Sequence, residues 1–206
     1  MSRADALVGA GAAAGYLALS ARWGRRADSL ERQWFPVVNG DRDLPVLRVP
    51  QQLGTPWSLV ATSCFLAARG HRVDGLAALA ALPVEKGVEV LSKKLLQKQR
   101  PVKVLPTRLL DDAPTEGPSF PSGHSAIAAA SAYLAACGLP PVVGAALGGG
   151  ALVTSVVRVR QGAHWPVDAA AGTSLGLAVA AGLRVVVPEV LDVVGGHRGW
   201  RARLSS

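Results

Sequence analysis

Six apolar stretches divided by charged loops dominate this chain, each near the roughly 20 residues a helix needs to cross a bilayer. The first runs from Ala6 to Ala21 and ends at Arg22, Arg25 and Arg26. The second spans Leu53 to Ala68, and the third Val73 to Leu96, with Glu85, Lys86 and Glu89 inside it. The fourth covers Ser122 to Leu139, the fifth Pro141 to Val157, and the sixth Val167 to Val187, broken only by Asp168 and Arg184. A helix in a soluble core shows a polar stripe every 3.6 residues. Ala145–Val153 has no polar side chain, and Ala126–Ala136 has little beyond Ser131. The pattern predicts an all-α fold, a six-transmembrane-helix bundle. The third stretch crosses only if its charges turn toward the bundle interior or an interface. After the first stretch, Leu30, Trp34, Phe35 and Val38 recur at helical spacing among Asp28, Glu31 and Arg32. That predicts a short amphipathic interfacial helix within 27–40.

Composition narrows the class. Half of the 206 residues are apolar and 17% are charged, which excludes a disordered chain. The length suits one domain, 1–206. Two cysteines exclude a disulfide scaffold, and Cys64 and Cys137 are expected to be small buried hydrophobes. Arg3 ahead of an apolar run has the outline of a signal peptide. Asp5 interrupts its basic region, so the run is expected to be the first helix. Gly11/Gly15, Gly144/Gly148 and Gly172/Gly176 are spaced for close helix packing. Trp23, Trp34, Trp57 and Trp165 sit at segment edges, as an interfacial belt would place them, and Trp200 lies in a basic tail. The net charge of +8 suits an anionic partner: nucleic acid, membrane surface or a phosphorylated substrate. No aromatic-studded basic groove accompanies it, which argues against nucleic acid.

Polar chemistry gathers in three clusters, which share one membrane face if every stretch spans. The first is Lys93-Lys94-Leu-Leu-Gln-Lys98-Gln-Arg100-Pro101. The second is Pro118-Ser-Phe-Pro121-Ser122-Gly123-His124-Ser125, where Ser122 suits a helix N-cap and Gly123 allows an anion to approach the freed N–H groups. The third is Arg158 to Asp168, with Pro166 expected at the first position of the sixth helix. Asp168 would then turn back as in a capping box, accept the His164 Nδ1–H and leave Nε2 as a nucleophile. Each cluster alone admits a plainer reading: a loop edge touching headgroups, a helix cap with a surface histidine, an interfacial histidine beside an N-terminal acid. With so few histidines and no cysteine near these clusters, a zinc or two-metal site is not expected.

Together the clusters resemble the three-part signature of the type 2 phosphatidic acid phosphatase superfamily: Lys-x6-Arg-Pro, Pro-Ser-Gly-His and Ser-Arg-x5-His-x3-Asp. The resemblance covers about residues 50–187, and the one departure is Val157 in place of the signature serine. It implies a metal-independent, cofactor-free hydrolase of lipid phosphomonoesters or pyrophosphates. It implies His164 as nucleophile, Asp168 as its orienting acid and His124 as general acid. It implies Lys93, Arg100, Arg158, Ser122 and Gly123 as the phosphate clamp, with Lys93 selected over Lys94 by spacing alone. The implied substrates are membrane lipids: polyprenyl pyrophosphate, polyprenyl-phosphoryl-ribose phosphate, phosphatidic acid or phosphatidylglycerophosphate. The polyprenyl-phosphoryl-ribose phosphate is a lead because the high Ala, Gly, Arg and Val content suggests a GC-rich genome of actinobacterial type, where such a lipid is a wall precursor. The implied location is the plasma membrane, multi-pass. Basic residues outnumber those of the opposite face fourteen to six on the motif face, which favours the cytoplasm. The alternatives are a catalytically inactive lipid-phosphate-binding scaffold and a vanadate-dependent haloperoxidase, a soluble class that the apolar stretches argue against.

Overall fold

The computed structural model describes residues 3–40, 44–110 and 113–194; Arg42, Trp200 and the tail arginines Arg198, Arg201 and Arg203 lie outside them. The described chain is helical, and its helices follow the six apolar stretches. They are α1 (Arg3–Trp23), α2 (Ser29–Val38), α3 (Arg48–Gln51), α4 (Pro56–Ala68), α5 (Arg72–Leu96), α6 (Gly123–Ala135), α7 (Pro141–Arg160) and α8 (Pro166–Val194). Two of them, α1 and α7, are long and apolar enough to cross a membrane, with mean hydropathies of 1.3 and 1.7. The second and fourth stretches give shorter helices than expected. At 13 residues each, α4 and α6 rise about 20 Å, against the roughly 30 Å of a hydrocarbon core. Their remaining residues form 3-10 turns, Gln52–Gly54 before α4 and Ala136–Gly138 after α6.

Helix α6 is the axis of the bundle, buried on most sides and packed by α4, α5, α7 and α8, while α1 lies along α8. The core is built from alanine: Ala77, Ala78 and Ala81 of α5 meet Ala130 of α6, Ala180 of α8 and the two α4 leucines Leu59 and Leu66. Small side chains bring the helix backbones close, and dispersion across that contact holds them without help from bulk hydrophobicity. The closest approach uses one of the three expected glycine pairs. A Cβ on Gly172 or Gly176 would run into the carbonyls of Ser122 and Ala126 on α6. Gly11 and Gly148 meet nothing, so their spacing is incidental. The outward faces are apolar too, with Leu7 and Leu17 of α1, Leu152 and Val156 of α7, and Val186 and Val190 of α8 exposed. Apolar surface on that scale marks contact with lipid or protein rather than water.

Two local expectations change. Cys64 is exposed and Cys137 half-buried, because α4 turns Cys64 to the outer surface of the bundle. Trp165 belongs to the core rather than to an interfacial belt: it is fully buried against Phe35 at 5.1 Å, and its Nε1–H donates to the Gln99 carbonyl at 2.8 Å. Trp34 and Trp57 are exposed, as belt residues would be.

Candidate active site

The three motifs converge at one end of the bundle, where α5 finishes, α6 begins, and α7 hands over to α8. Helix α5 closes at Gln97, whose left-handed backbone (φ 52°) turns the chain inward. The next segment pairs with the loop before α6, with the Ser119 N–H donating to the Lys98 carbonyl at 2.8 Å. Ser122 caps α6 as expected, accepting from the Ser125 N–H. The Ser125 hydroxyl also donates to Ser122 Oγ at 3.0 Å, so the Ser122 O–H keeps its own proton to give elsewhere. Pro166 opens α8, and Asp168 Oδ2 accepts the Trp165 N–H at 3.0 Å, the expected capping box.

The acceptor for His164 differs from the expectation. Its Nδ1 lies 2.8 Å from the Ser119 carbonyl and 3.8 Å from Asp168 Oδ2. A carbonyl only accepts, so Nδ1 carries the proton and Nε2 keeps its lone pair. Asp168 Oδ2 takes the Trp165 N–H, and Oδ1 pairs by charge with Lys98 Nζ at 2.9 Å without accepting a hydrogen bond. Its carboxylate acts on the imidazole through space rather than by a direct hydrogen bond. His164 is almost wholly buried, and burial, resisted by Asp168, pushes its pKa down to about 4. It is therefore neutral at pH 7.

Lys98 is the largest surprise of this end. Expected in a charged loop edge, it is fully buried and bridges two carboxylates, Asp168 at 2.9 Å and Glu31 at 2.9 and 3.1 Å. Glu31 comes from α2, whose N-cap Asp28 holds the Glu31 N–H at 2.9 Å. The apolar face of α2 is correspondingly split: Phe35 is buried, while Leu30, Trp34 and Val37 face outward. Glu31 also accepts the Val167 N–H at 3.1 Å, so α2 braces the start of α8. Burial raises the Glu31 carboxyl above the ordinary carboxylate range, against the pull of Lys98.

The expected phosphate ligands lie around this core. Arg100 is buried and donates to the carbonyls of Glu116 at 2.9 Å and Ala163 at 2.7 Å. Burial draws its pKa below the ordinary arginine value. Arg158 is buried and donates to Gln161 Oε1 at 2.8 Å. Lys93 is half-buried and ion-paired with Glu89 at 2.5 Å, whereas Lys94 is exposed. The Glu89 carboxylate sits where a Gly123 side chain would be: a Cβ there would come within 2.8 Å of Oε2. His124 lies within electrostatic reach of Arg158, His164, Glu89 and Lys93. It lines a cavity of about 660 Å³ together with Arg158, Pro114, Arg48, Gln51, Gln52 and Thr55. Val157, the departure from the signature, is buried. Among the described residues no three His, Cys, Asp or Glu side chains converge as metal ligands.

Sequence reading missed Glu31 and Glu89 as members of this end. Glu89 had a signal, its spacing four residues before Lys93 on one helix face. Glu31 had none, since its partner Lys98 is 67 residues away.

Comparison with known proteins gives one consistent result. The family profile of the PAP2 superfamily matches residues 74–191. The decaprenylphosphoryl-5-phosphoribose phosphatases of two Mycobacterium tuberculosis strains, CDC 1551 and H37Rv, are 35% identical over 153 residues, 71% of this chain and 75% of theirs. The solved transmembrane PAP2 type phosphatidylglycerolphosphate phosphatase from Bacillus subtilis superposes with a TM-score of 0.67 at 22% identity. That match covers 92% of this chain and 98% of the other, and it establishes the fold.

Proposed function

Because the chain belongs to the PAP2 superfamily and is a phosphatase of that type, we propose that it dephosphorylates a membrane lipid through a phosphohistidine at His164. The observation that carries this reading is the His164 tautomer, with Nδ1–H donated to Ser119 and a neutral ring whose Nε2 lone pair is available at pH 7. Nε2 attacks phosphorus, the N–P bond forms and the P–O bond to the leaving group breaks. His124, protonated only once the negative phosphate is bound beside it, gives its proton to the leaving oxygen. Water then attacks the phosphohistidine, His124 takes the proton from it, and inorganic phosphate leaves with His164 restored. Lys93, Arg100 and Arg158 neutralise the equatorial oxygens, joined by the Ser122 hydroxyl and the Gly123 N–H. For Lys93 this requires sharing or releasing Glu89. The buried pair of carboxylates around Lys98 carries an excess negative charge when ionised, which favours the positive charge developing on His164.

The substrate is a polyprenyl-phosphoryl-ribose phosphate or a lipid of similar head group, by likeness to the mycobacterial relatives. The remaining sequence-derived candidates are polyprenyl pyrophosphate, phosphatidic acid and phosphatidylglycerophosphate. Purified protein given each of these in detergent should release phosphate, tolerate EDTA and be inhibited by vanadate. A protein silent on the whole panel would be the inactive scaffold instead. The chain is further proposed to cross the plasma membrane several times, with this end in the cytoplasm, on the excess of arginine and lysine there. A single cysteine placed at the exposed Thr115, with Cys64 and Cys137 replaced, should resist an impermeant reagent in intact cells. Ready labelling would put the site outside.

A further inference from the structure

One wall of the cavity that His124 lines belongs to none of the three motifs. It is the connection from α2 to α4, and it turns Arg48, Gln51, Gln52 and Thr55 toward the cavity. This wall is held in place rather than loose. Gly54 abuts α6 so closely that a Cβ would lie 2.9 Å from that of His124. The Thr154 hydroxyl of α7 donates to the Pro50 carbonyl at 2.5 Å. The Gln51 amide donates to Gln161 Oε1 at 2.8 Å, the same oxygen that accepts from Arg158. Gln51 and Arg158 are thus tied to one anchor, so the shelf and the clamp keep a common geometry.

The other side of the same segment is apolar and open. Val46, Val49 and Trp57 are each more than 70% exposed, and they flank the polar residues. A segment apolar outward and polar toward a cavity sits at a membrane interface, at the depth of lipid headgroups. The cavity, about 660 Å³, equals the space of roughly 22 waters at ~30 Å³ each, far more than a single phosphoryl group fills.

We propose that Arg48, with Gln51, Gln52 and Thr55, forms a subsite for a second phosphate of the substrate: a non-scissile phosphodiester joined to the scissile monoester through a hydroxylated spacer. Arg48 meets the diester with its planar fork, and the glutamine amides and the Thr55 hydroxyl meet the spacer hydroxyls. The scissile phosphate stays with Arg158 and His124. This inference rests on the lipid phosphatase reading and deepens it. It selects lipids with two separated phosphates over lipids with one.

Two probes with the same acyl chains separate the cases in nonionic micelles: phosphatidylglycerophosphate, which has the diester and spacer, and phosphatidic acid, which has neither. The wild type should prefer the first. Arg48→Gln should cut kcat/KM on phosphatidylglycerophosphate about tenfold, mostly through KM, and on phosphatidic acid less than about threefold. Arg48→Lys should recover part of the preference, since it keeps the charge and loses the fork. Equal losses on both probes would overturn the subsite. So would a loss seen only when anionic phosphatidylglycerol is added to the micelles, which would assign Arg48 to bulk headgroups. Wild type active on both probes without preference overturns the subsite alone, as does wild type that cleaves the polyprenyl lipids but neither probe; only silence on these probes and on the polyprenyl lipids as well overturns the phosphatase reading with it.

Discussion

The molecule buries charge at both ends of its helical bundle, and the two ends do opposite things with it. At the end away from the motifs, Arg184 of α8 bonds Asp5 of α1 at 2.7 Å and Asp74 of α5 at 2.9 Å. Tyr133 of α6 donates to the same Asp5 at 2.6 Å. Four helices are joined by one small cluster whose carboxylates outnumber its arginine and close upon it. At the motif end the balance reverses: Lys93, Lys98, Arg100 and Arg158 face Glu31, Glu89 and Asp168, and Arg158 lines an open cavity. The first arrangement is a staple. The second has cationic surplus directed at a space, which is what an anion receptor requires.

That contrast can be broken by mutation. The largest effect belongs to His164→Ala, which should lower kcat/KM by about four orders of magnitude while the protein still purifies folded. Retained activity in phosphate-release assays would remove His164 as nucleophile. Next comes Lys98→Met, which strands two buried carboxylates. It should cost about 3–5 kcal/mol of stability and also slow turnover, read as a lower Tm together with a lower kcat and a shifted pH profile. A loss of Tm alone would make Lys98 another staple. Arg184→Met tests the distal end: Tm should fall by the equivalent of about 2–4 kcal/mol, with kcat/KM within about threefold of wild type at a temperature where the variant is folded. A selective loss of activity would mean the ends are coupled.

A smaller effect should appear with pH. His164 has a folded pKa of about 4 against an ordinary 6.5, so the unfolded chain binds its proton more readily. The stability this confers is complete above pH 6.5 and is lost as the pH falls toward 4. The same value puts the nucleophile's acid limb in kcat/KM near pH 4 rather than 6.5, measurable in a pH series. Smallest of all is Val157→Ser, which restores the signature hydroxyl in a buried position and should change kcat/KM by no more than about threefold.

Much of the site was legible because its parts are local. Ser122 capping α6, Pro166 opening α8 and Asp168 turning back to Trp165 are interactions across three residues or fewer, set by backbone geometry at a helix start. Other features were illegible for the converse reason. Ser119 and His164 are 45 residues apart, so no spacing rule announces that a backbone carbonyl will take the Nδ1 proton. Trp165 and Arg184 looked like an interface residue and an interruption, and only packing reveals the one as core and the other as a clasp.

By itself, then, the sequence determined the helices, through apolar runs long enough to form them, and the three motifs, through residue types at short spacing. The tertiary structure decided which charges meet. It took Lys98 and Glu31 out of loop and surface and placed them under Asp168. It set a polar shelf from a motif-free segment beside His124. The reason is physical: a buried charge must find a partner, and in a bundle the nearest partner in space lies on another helix, at a sequence separation that local pattern does not encode.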